Sequence, residues 1–437
     1  MINYFFSVKN EVKNKINITC YYLILGYIIS LYINNAPVLT NLLMVLLLIF
    51  SLFNVRELGF LNSLQQNPAC ICITVIFFLQ LLSVIYSNNK IEGMAIIVQK
   101  TPLFIIPLTF CFLSFKKKIW YKIILFYAIV TTIASLLGFL GGSYNAVINN
   151  DSGFLYNDNI CSVFSKQAVY FAWYISVAIL VFTVYLNEDA QLKQGYKFYI
   201  YIAIIWLFFI LFMLASRTSM FALIIIWFWY IGKILVQKKK YIEGALLILS
   251  LVIGSVVVSK LFPKTLNRFK GTTEINFQYD NKNLENHFNA AYDKSKWNSS
   301  NTRAAIWNCA IEIWEENKLI GTGIGDKTND LLKKYEDKNF LYGINTKKNT
   351  HSQYLDILIS TGIIGLIIFI IVFFIYPMFI LYKRKQQFAF SIFLLLAICL
   401  FTENMFDRYQ GLIIISFILP LSTKINHKET ISVIPHS

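Results

Sequence analysis

Charged residues are scarce in this chain. Asp, Glu, Lys and Arg make up 14% of its 437 residues, hydrophobic residues make up 57%, and the mean hydropathy is +0.58. Soluble globular proteins carry about 25% charged residues. The shortage of charge therefore excludes an ordinary water-soluble protein and predicts a chain that is embedded in a membrane.

Long alternating segments are also missing. A membrane β-barrel would show segments of about ten residues that alternate between apolar and polar, whereas runs such as 363–375 are apolar at every position. Apolar stretches of about 20 residues recur instead, and each is long enough to cross a hydrocarbon core of about 30 Å as a helix. The sequence therefore predicts an all-α polytopic membrane protein.

Metal-ligand and nucleotide-binding patterns are absent as well. The seven cysteines show no metal-ligand spacing, and the acidic residues form no recognisable ligand cluster. The glycines at 321, 323 and 325 are not followed by the Lys-Ser/Thr of a P-loop, so we interpret them as a helix stop and a tight turn. We expect no metal, no cofactor and no nucleic-acid partner.

The apolar stretches predict twelve membrane-spanning helices. Residues 1–259 hold helices one to nine, 260–358 form a large loop, 359–423 hold helices ten to twelve, and 424–437 form a tail. The predicted spans are 18–34, 37–53, 68–86, 94–114, 119–140, 167–186, 198–215, 219–236, 241–259, 359–382, 387–402 and 409–423.

The basic residues predict the orientation. With a cytoplasmic amino terminus, nearly all short-loop Lys and Arg residues fall on the cytoplasmic side, as the positive-inside rule requires. The exceptions, on the outer side, are Lys90, Lys166, Arg217 and Arg408. We therefore expect both termini in the cytoplasm and the large loop on the outer side of the membrane.

The large loop is predicted to be ordered mainly in its second half. Residues 271–300 are rich in Asn, Asp and Lys and look irregular. A helix is predicted from about Thr302 to Glu316, capped by Ser299, Ser300 or Asn301. It should stop before the glycines that begin at Gly321.

Two outward arginines are candidate anion-binding residues. Arg217 lies in the tight turn between the seventh and eighth spans, where it is either a snorkelling interfacial residue or a fixed positive group for an anionic ligand. Arg303 shares a helix face with Trp307. Arg303 is either a solvated helix charge over an aromatic anchor or a second anion-binding group.

His351 is the candidate base. It lies where the polar loop gives way to the tenth span, and we expect Asn349 or Thr350 to cap that helix. In the first helical turn the helix dipole disfavours protonation of the imidazole, and a general base must be neutral. The alternative is a structural or incidental loop histidine.

These motifs in this order resemble the O-antigen ligase and O-antigen polymerase family of bacterial envelopes. The resemblance rests on an ordered set: Ser216-Arg217, Arg303-x-x-Ile-Trp307, Gly321-x-Gly323-x-Gly325, His351-Ser-Gln-Tyr354-Leu, and Gly362-Ile-Ile-Gly365. It is strongest over 301–374, weaker around Arg217, and elsewhere rests on span count.

The resemblance implies transfer of a glycan from an undecaprenyl diphosphate carrier to an acceptor sugar hydroxyl, without metal or nucleotide. Arg217 and Arg303 would bind the diphosphate, and His351 would be the catalytic base. Second candidates for substrate binding are Lys100, Lys166, Trp307 and Tyr354. The expected partners are the carrier-linked glycan, a lipid A-core or glycan acceptor, and membrane lipids. The resemblance also implies a bacterial inner membrane, with both termini in the cytoplasm and the large loop and active site in the periplasm.

Two other functions stay open at this point. A polymerase would pass the glycan to another carrier-linked repeat unit instead of to lipid A-core. A flippase for lipid-linked oligosaccharides could also have about twelve spans, but transporters generally place charged residues near mid-membrane and often repeat one half of the chain. Neither feature is visible here, and this disfavours transport.

Overall fold

The computed structural model describes residues 2–34, 36–188, 194–237, 239, 256, 260, 277–281 and 296–425. Within these residues the regular structure is helical and contains no β-strand, and this confirms the predicted all-α class. The predicted span 241–259 lies outside the described residues except for residue 256, as do most of 271–300 and the tail from 426.

The amino-terminal part is a series of apolar helices, several of which begin at a proline. Pro37, Pro68 and Pro102 lie in first helical turns. The backbone amides of a first turn have no partner within the helix, so the amide hydrogen that proline lacks is not missed there. The helices are α1 (Ile2–Ser30), α2 (Pro37–Leu58), α3 (Phe60–Gln66), α4 (Pro68–Ser83), α5 (Lys90–Gln99), α6 (Pro102–Phe112), α7 (Lys117–Ile148), α8 (Asp158–Cys161), α9 (Ala168–Glu188), α10 (Gln194–Met213) and α11 (Arg217–Gln237).

The carboxyl-terminal part combines short polar helices with long apolar ones. A π-helical stretch, Phe369–Ile375, continues one apolar helix into the next. The helices are α12 (Ser299–Glu316), α13 (Lys327–Asp337), α14 (Leu341–Thr346), α15 (Gln353–Ile368), α16 (Tyr376–Lys383), α17 (Gln387–Cys399) and α18 (Tyr409–Thr423). The helix predicted from residue 359 therefore begins earlier, at Gln353.

Six segments of the described residues are long and apolar enough to cross a membrane, against twelve predicted spans. The six segments are Pro37–Val55, Lys90–Phe112, Lys117–Ile148, Ala168–Asn187, Gln194–Met213 and Gln353–Lys383. A seventh would be α3 with α4, which meet at a bend of 100°. The predicted fourth span, 94–114, corresponds to Lys90–Phe112, in which α5 gives way to α6.

Two helices at predicted spans are too short to cross alone. The helix α17 has 13 residues and α18 has 15, and at about 1.5 Å per residue each covers roughly 20 Å of a core that is about 30 Å thick. They are joined by residues 400–408, which we call the α17–α18 loop.

The helix ends gather into two groups. At one end, Lys424 donates to the Asn67 side chain over 2.6 Å, Gln386 donates to the Thr423 carbonyl, and the Lys424 ammonium lies over the Trp120 ring. Basic residues that follow the positive-inside pattern, such as Lys116 and Arg384, flank this group. The other end holds the α17–α18 loop.

The described part of the large loop, residues 277–281 and 296–352, which we call the loop region, has its own small core. It lies at the end of the helix bundle that holds the α17–α18 loop. Buried aromatic and aliphatic side chains of α12, α13 and α14 pack together, and Ile359 of α15 joins them. The core residues include Trp297, Ile306, Ile313, Leu331, Tyr335 and Phe340. The loop region and the helix bundle therefore both include contacts with α15.

Two glycines allow the loop region to contact α15 closely. Gly321 has φ +72° and Gly362 has φ +64°, a region that favours glycine. A Cβ on Gly321 would lie 2.3 Å from the Ile359 carbonyl oxygen, and one on Gly362 would lie 2.2 Å from the Leu319 carbonyl oxygen. The Thr322 amide donates to the Ile359 carbonyl over 2.8 Å. The glycines thus follow the helix stop, as predicted, and also form a backbone junction.

Candidate functional site

The helix α12 presents Arg303 from its second turn. The helix begins at Ser299 instead of Thr302, because the Asn298 side chain is the cap: its oxygen accepts from the Ser300 and Asn301 amides, each over 2.9 Å. The expected caps Ser299, Ser300 and Asn301 are instead the first helical residues. Arg303 and Trp307 then lie one turn apart, on the side that faces the bundle.

Arg303 pairs with Glu403 of the α17–α18 loop. Its Nη2 donates to Glu403 Oε1 over 2.9 Å, and both side chains keep part of their surface open, 21% and 14%. The Nε of Arg303 is buried and has no hydrogen-bond partner among the described residues, and the Thr302 hydroxyl shares this property. Buried polar atoms normally find partners, so these two donors are available to an anionic ligand.

His351 lies at a tight turn just before α15. Its φ is +45° and its amide donates to the Asn349 side chain over 3.2 Å. The helix cap is Ser352, whose hydroxyl accepts from the Leu355 amide. This corrects the expected cap at Asn349 or Thr350 and moves His351 from the first helical turn to the residue before the cap.

Glu403 links the two predicted residues. His351 Nδ1 lies 3.7 Å from Glu403 Oε2, while Arg303 donates a hydrogen bond to Oε1 of the same carboxylate. Burial would raise the pKa of the Glu403 carboxyl, but the neighbouring His351 and Arg303 outweigh burial and hold that pKa below its usual value. The carboxylate therefore stays charged and favours the imidazole tautomer with its proton on Nδ1.

Arg217 reaches the same region from the first residue of α11. Its guanidinium donates to the Ser299 hydroxyl at the start of α12. The next residue, Thr218, shares a 2.7 Å hydrogen bond with Thr402, which precedes Glu403. The structure therefore brings Arg217, Arg303 and His351 around one short loop, although 134 positions separate the first from the last in the sequence.

Three helices begin beside the α17–α18 loop. The amino-terminal ends of α11, α12 and α15 lie beside the α17–α18 loop, because Thr402, Glu403 and the Leu400 carbonyl each contact one of them or its preceding turn. Helix amino termini carry partial positive charge and unpaired amide donors. Together with two arginines they favour a negatively charged ligand.

Trp307 and Tyr354 support this arrangement. Trp307 Nε1 donates to the Thr350 carbonyl over 3.0 Å, and its ring meets Phe401 edge to face. The Tyr354 hydroxyl donates to the Ala397 carbonyl over 2.9 Å. Both polar atoms are thus used within the protein, and the two side chains fix the backbone on either side of His351.

A buried ion cluster lies next to the site. Lys327 of α13 contacts both carboxylate oxygens of Asp356, at 2.7 and 2.8 Å, and both of Asp407, at 2.9 and 3.1 Å. Lys100 contacts Asp407 over 3.0 Å and is 1% exposed. Two positive and two negative groups therefore balance one another where α13, α15, the α5–α6 break and the α17–α18 loop meet.

The ion cluster is connected to the residues beside His351. Asn404 donates to Asp407 over 3.3 Å and to the Thr350 hydroxyl over 2.8 Å. Gln353 accepts from the Phe406 amide over 2.9 Å. These contacts fix the α17–α18 loop against the start of α15, so they set the position of Glu403 relative to His351.

The two second-tier lysines have different surroundings. The ammonium group of Lys100 is engaged by Asp407 in the ion cluster. Lys166 lies just before α9, where its ammonium is 5.3 Å from the centroid of the Tyr174 ring and contacts no carboxylate among the described residues. Burial lowers the pKa of Lys166 to about 8, and Cys161 partly opposes this shift. Lys166 therefore remains a candidate for an anionic group.

Sequence reasoning did not identify Glu403, Asp407, Asp356 and Lys327. A signal was present: Glu403 and Asp407 are acidic residues in a short turn between two apolar segments, and Asp356 lies in the first turn of a long apolar helix. Charges at such positions are costly and usually have partners or a function.

Comparison with known protein families gives a match over part of the chain. Residues 202–370 match the profile of a family described as O-antigen ligase. The match covers Arg217, Arg303, His351 and the junction at Gly362, and it confirms the resemblance inferred from the ordered motifs. No curated protein matches the chain.

Proposed function

We propose, from the match of residues 202–370 to the O-antigen ligase family, that this chain transfers a glycan from an undecaprenyl diphosphate carrier to an acceptor sugar hydroxyl. Glycan transfer of the ligase or polymerase type is the family's general activity. The donor, the lipid A-core acceptor and the roles of individual residues are our proposal. The observation that carries it is the position of Glu403 between Arg303 and His351.

Arg303 and Arg217 bind the leaving diphosphate in this proposal. As the bond from the sugar carbon to phosphate oxygen breaks, the diphosphate gains negative charge, and guanidinium groups stabilise that charge through charge-assisted hydrogen bonds. Arg303 Nε is unpartnered, and Glu403 holds the rest of the guanidinium in place. The convergent helix amino termini add to the positive potential.

His351 accepts the proton of the attacking hydroxyl. Nδ1 faces Glu403, so Nε2 is the nitrogen left for the acceptor. The acceptor oxygen forms the new bond to the sugar carbon, its proton goes to Nε2, and the bonding pair to the carrier leaves with the diphosphate. A base oriented by a carboxylate is the arrangement used when a hydroxyl must act as a nucleophile.

The depth of the α17–α18 loop supports a lipid-borne donor. The α17–α18 loop, which carries Glu403, joins two helices that are shorter than a full span, so we infer that it lies in a recess of the bundle. A diphosphate attached to a membrane lipid stays near the headgroup level. The recess also lies opposite the basic helix ends, and this supports a periplasmic site in a bacterial inner membrane with both termini in the cytoplasm.

Two experiments test the proposal. Detergent-purified protein supplied with carrier-linked glycan and lipid A-core should form the joined product, whereas a transporter would form none. In a deletion strain, carrier-linked polymer that stays unligated supports the ligase. Surface glycan with single repeat units would instead indicate the polymerase.

A further inference from the structure

A separate cleft of about 1010 Å³ lies on the far side of the glycine junction. Its floor is formed where Gly321 and Thr322 follow the end of α12, and one wall is α13. None of Arg217, Arg303, His351 and Glu403 lines it. Its volume is at the upper end of the range of about 300–1,000 Å³ that small-molecule sites occupy, so it suits a ligand larger than a single ion.

The lining of the cleft mixes hydrogen-bond donors and acceptors. It includes the ammonium groups of Lys318, Lys333 and Lys334 together with the carboxylates of Glu316, Asp330 and Asp337. Sugar hydroxyls both donate and accept, so walls of both kinds suit a polyhydroxylated ligand. Charges of both signs disfavour a polyanion or a polycation as the occupant.

Asp330 is an acceptor at the floor of this cleft. Burial raises the pKa of its carboxyl, while the neighbouring Thr322 hydroxyl lowers it. Lys334, on the next turn of α13, pairs with Glu316 over 2.7 Å across the cleft. The floor and walls are therefore held in place before any ligand binds.

The cleft opens at the edge of the apolar part of the bundle. Leu319 and Ile320 line it and are 65% and 54% exposed. The Lys318 carbonyl accepts from the Ile363 amide over 2.9 Å, where α15 enters the apolar run of its membrane segment. Exposed apolar side chains beside polar walls are typical of a surface that meets a membrane interface.

The helix α12 connects the cleft with the candidate site. Arg303 lies near its start, Ile313 and Glu316 line the cleft near its end, and ten to thirteen residues correspond to about 15–20 Å along the helix. A chain of a few sugars can extend over this distance while one end stays at His351.

We propose that this cleft binds sugar residues of a lipid-linked glycan substrate at a distance from the bond that is made or broken. The inference rests on the proposed function and deepens it, because it assigns a second glycan-binding subsite to the same enzyme. The ligand class is a neutral or mixed-charge oligosaccharide.

Photo-crosslinking in living cells tests the inference. A photoreactive amino acid is placed at Lys333 or at Asp337, which both line the cleft, and as a control at Glu336, which is exposed on the same helix but does not line it. Each variant also carries His351→Ala, so that binding is measured without transfer. The readout is carbohydrate attached to the purified protein, detected by periodate oxidation; mild acid cleaves the sugar–diphosphate bond and so releases the lipid carrier from the adduct while the glycan stays on the protein.

The inference expects carbohydrate adducts at positions 333 and 337, none at 336, and loss of the adducts in a strain that makes no carrier-linked glycan. Equal signals at all three positions, or adducts that survive without the glycan, would overturn it. If His351→Ala alone retains surface glycan, the catalytic proposal fails while the adduct result still stands on its own.

A kinetic comparison gives a second readout. Asp330→Asn removes one acceptor, and losing one hydrogen bond of about 1 kcal/mol corresponds to roughly a fivefold rise in KM for the glycan. We expect kcat to be unchanged, because Asp330 lies away from the reacting bond. A fall in kcat with constant KM would contradict a binding role.

Discussion

One carboxylate contacts both Arg303 and His351: Glu403 Oε1 accepts a hydrogen bond from the Arg303 guanidinium, and Glu403 Oε2 faces His351 Nδ1. The two residues lie 48 positions apart, one in α12 and the other in the turn before α15, yet their relative position depends on a third residue from a loop between two other helices. Predictions about the site therefore concern Glu403 as much as its partners.

Arg303→Lys should lose most transfer activity. The substitution keeps the charge but removes the planar fork and the unpartnered Nε, so the group can no longer hold Glu403 and a phosphate oxygen at once. Surface glycan display at equal protein level is the measurement. Arg384→Lys, at the opposite end of the bundle, is the control and should be active. Full activity of Arg303→Lys would indicate a solvated surface role.

Glu403→Gln should reduce activity while the protein still accumulates. Gln keeps the shape but not the charge that favours the Nδ1–H tautomer of His351.

Because the folded-state pKa of Glu403 is lowered, its contribution to stability is present above the unfolded pKa of about 4.3 and is lost only as pH falls through the lower folded value. Thermal unfolding between about pH 2 and 7 should thus show a smaller difference between variant and wild type below about pH 4 than at neutral pH. A constant difference would contradict this assignment.

Lys327→Met should be strongly destabilising, because it leaves Asp356 and Asp407 sharing only Lys100. Breaking a buried ion pair typically costs about 3–5 kcal/mol. The double variant Lys327→Met with Asp356→Asn keeps the charges balanced and should recover part of the loss. Lys333→Met, exposed on the same helix, is the control for thermal unfolding in detergent. A double variant no more stable than Lys327→Met would argue against charge balance as the reason.

Gly321→Ala should destabilise the junction between the loop region and α15. Its positive φ costs an alanine about 1–2 kcal/mol, and the added Cβ would meet the Ile359 carbonyl. Gly232→Ala, in open space on α11, should be neutral or slightly stabilising. Equal melting temperatures for the two variants would show that the close approach at Gly321 is not needed.

The sequence predicted local features well and long-range pairings poorly. The helix predicted over 409–423 is found at those residues, because its apolar run and its flanking polar residues are both local. The end of α12 before Gly321 was predicted for the same reason. The caps at Asn298 and Ser352 were missed, since several polar residues precede each helix and the choice depends on backbone geometry.

The ion cluster lay beyond sequence reasoning for a different reason. Lys100, Lys327, Asp356 and Asp407 come from four separate parts of the chain, and their pairing depends on how α5, α13 and α15 pack. Lys100 could be recognised as unusual in an apolar stretch, but its partner could not be named. Lys100 lies where α5 ends, inside the segment Lys90–Phe112 that corresponds to the single span predicted over 94–114.

The most direct measurement is the surface polysaccharide of a deletion strain complemented with wild type, with His351→Ala, or with His427→Ala from the tail as a control. The account predicts that His351→Ala accumulates in the membrane like wild type but lowers glycan transfer at least about a hundredfold, as expected for loss of a general base. His427→Ala should restore wild-type display. Near wild-type display with His351→Ala would contradict the assignment of His351 as the base.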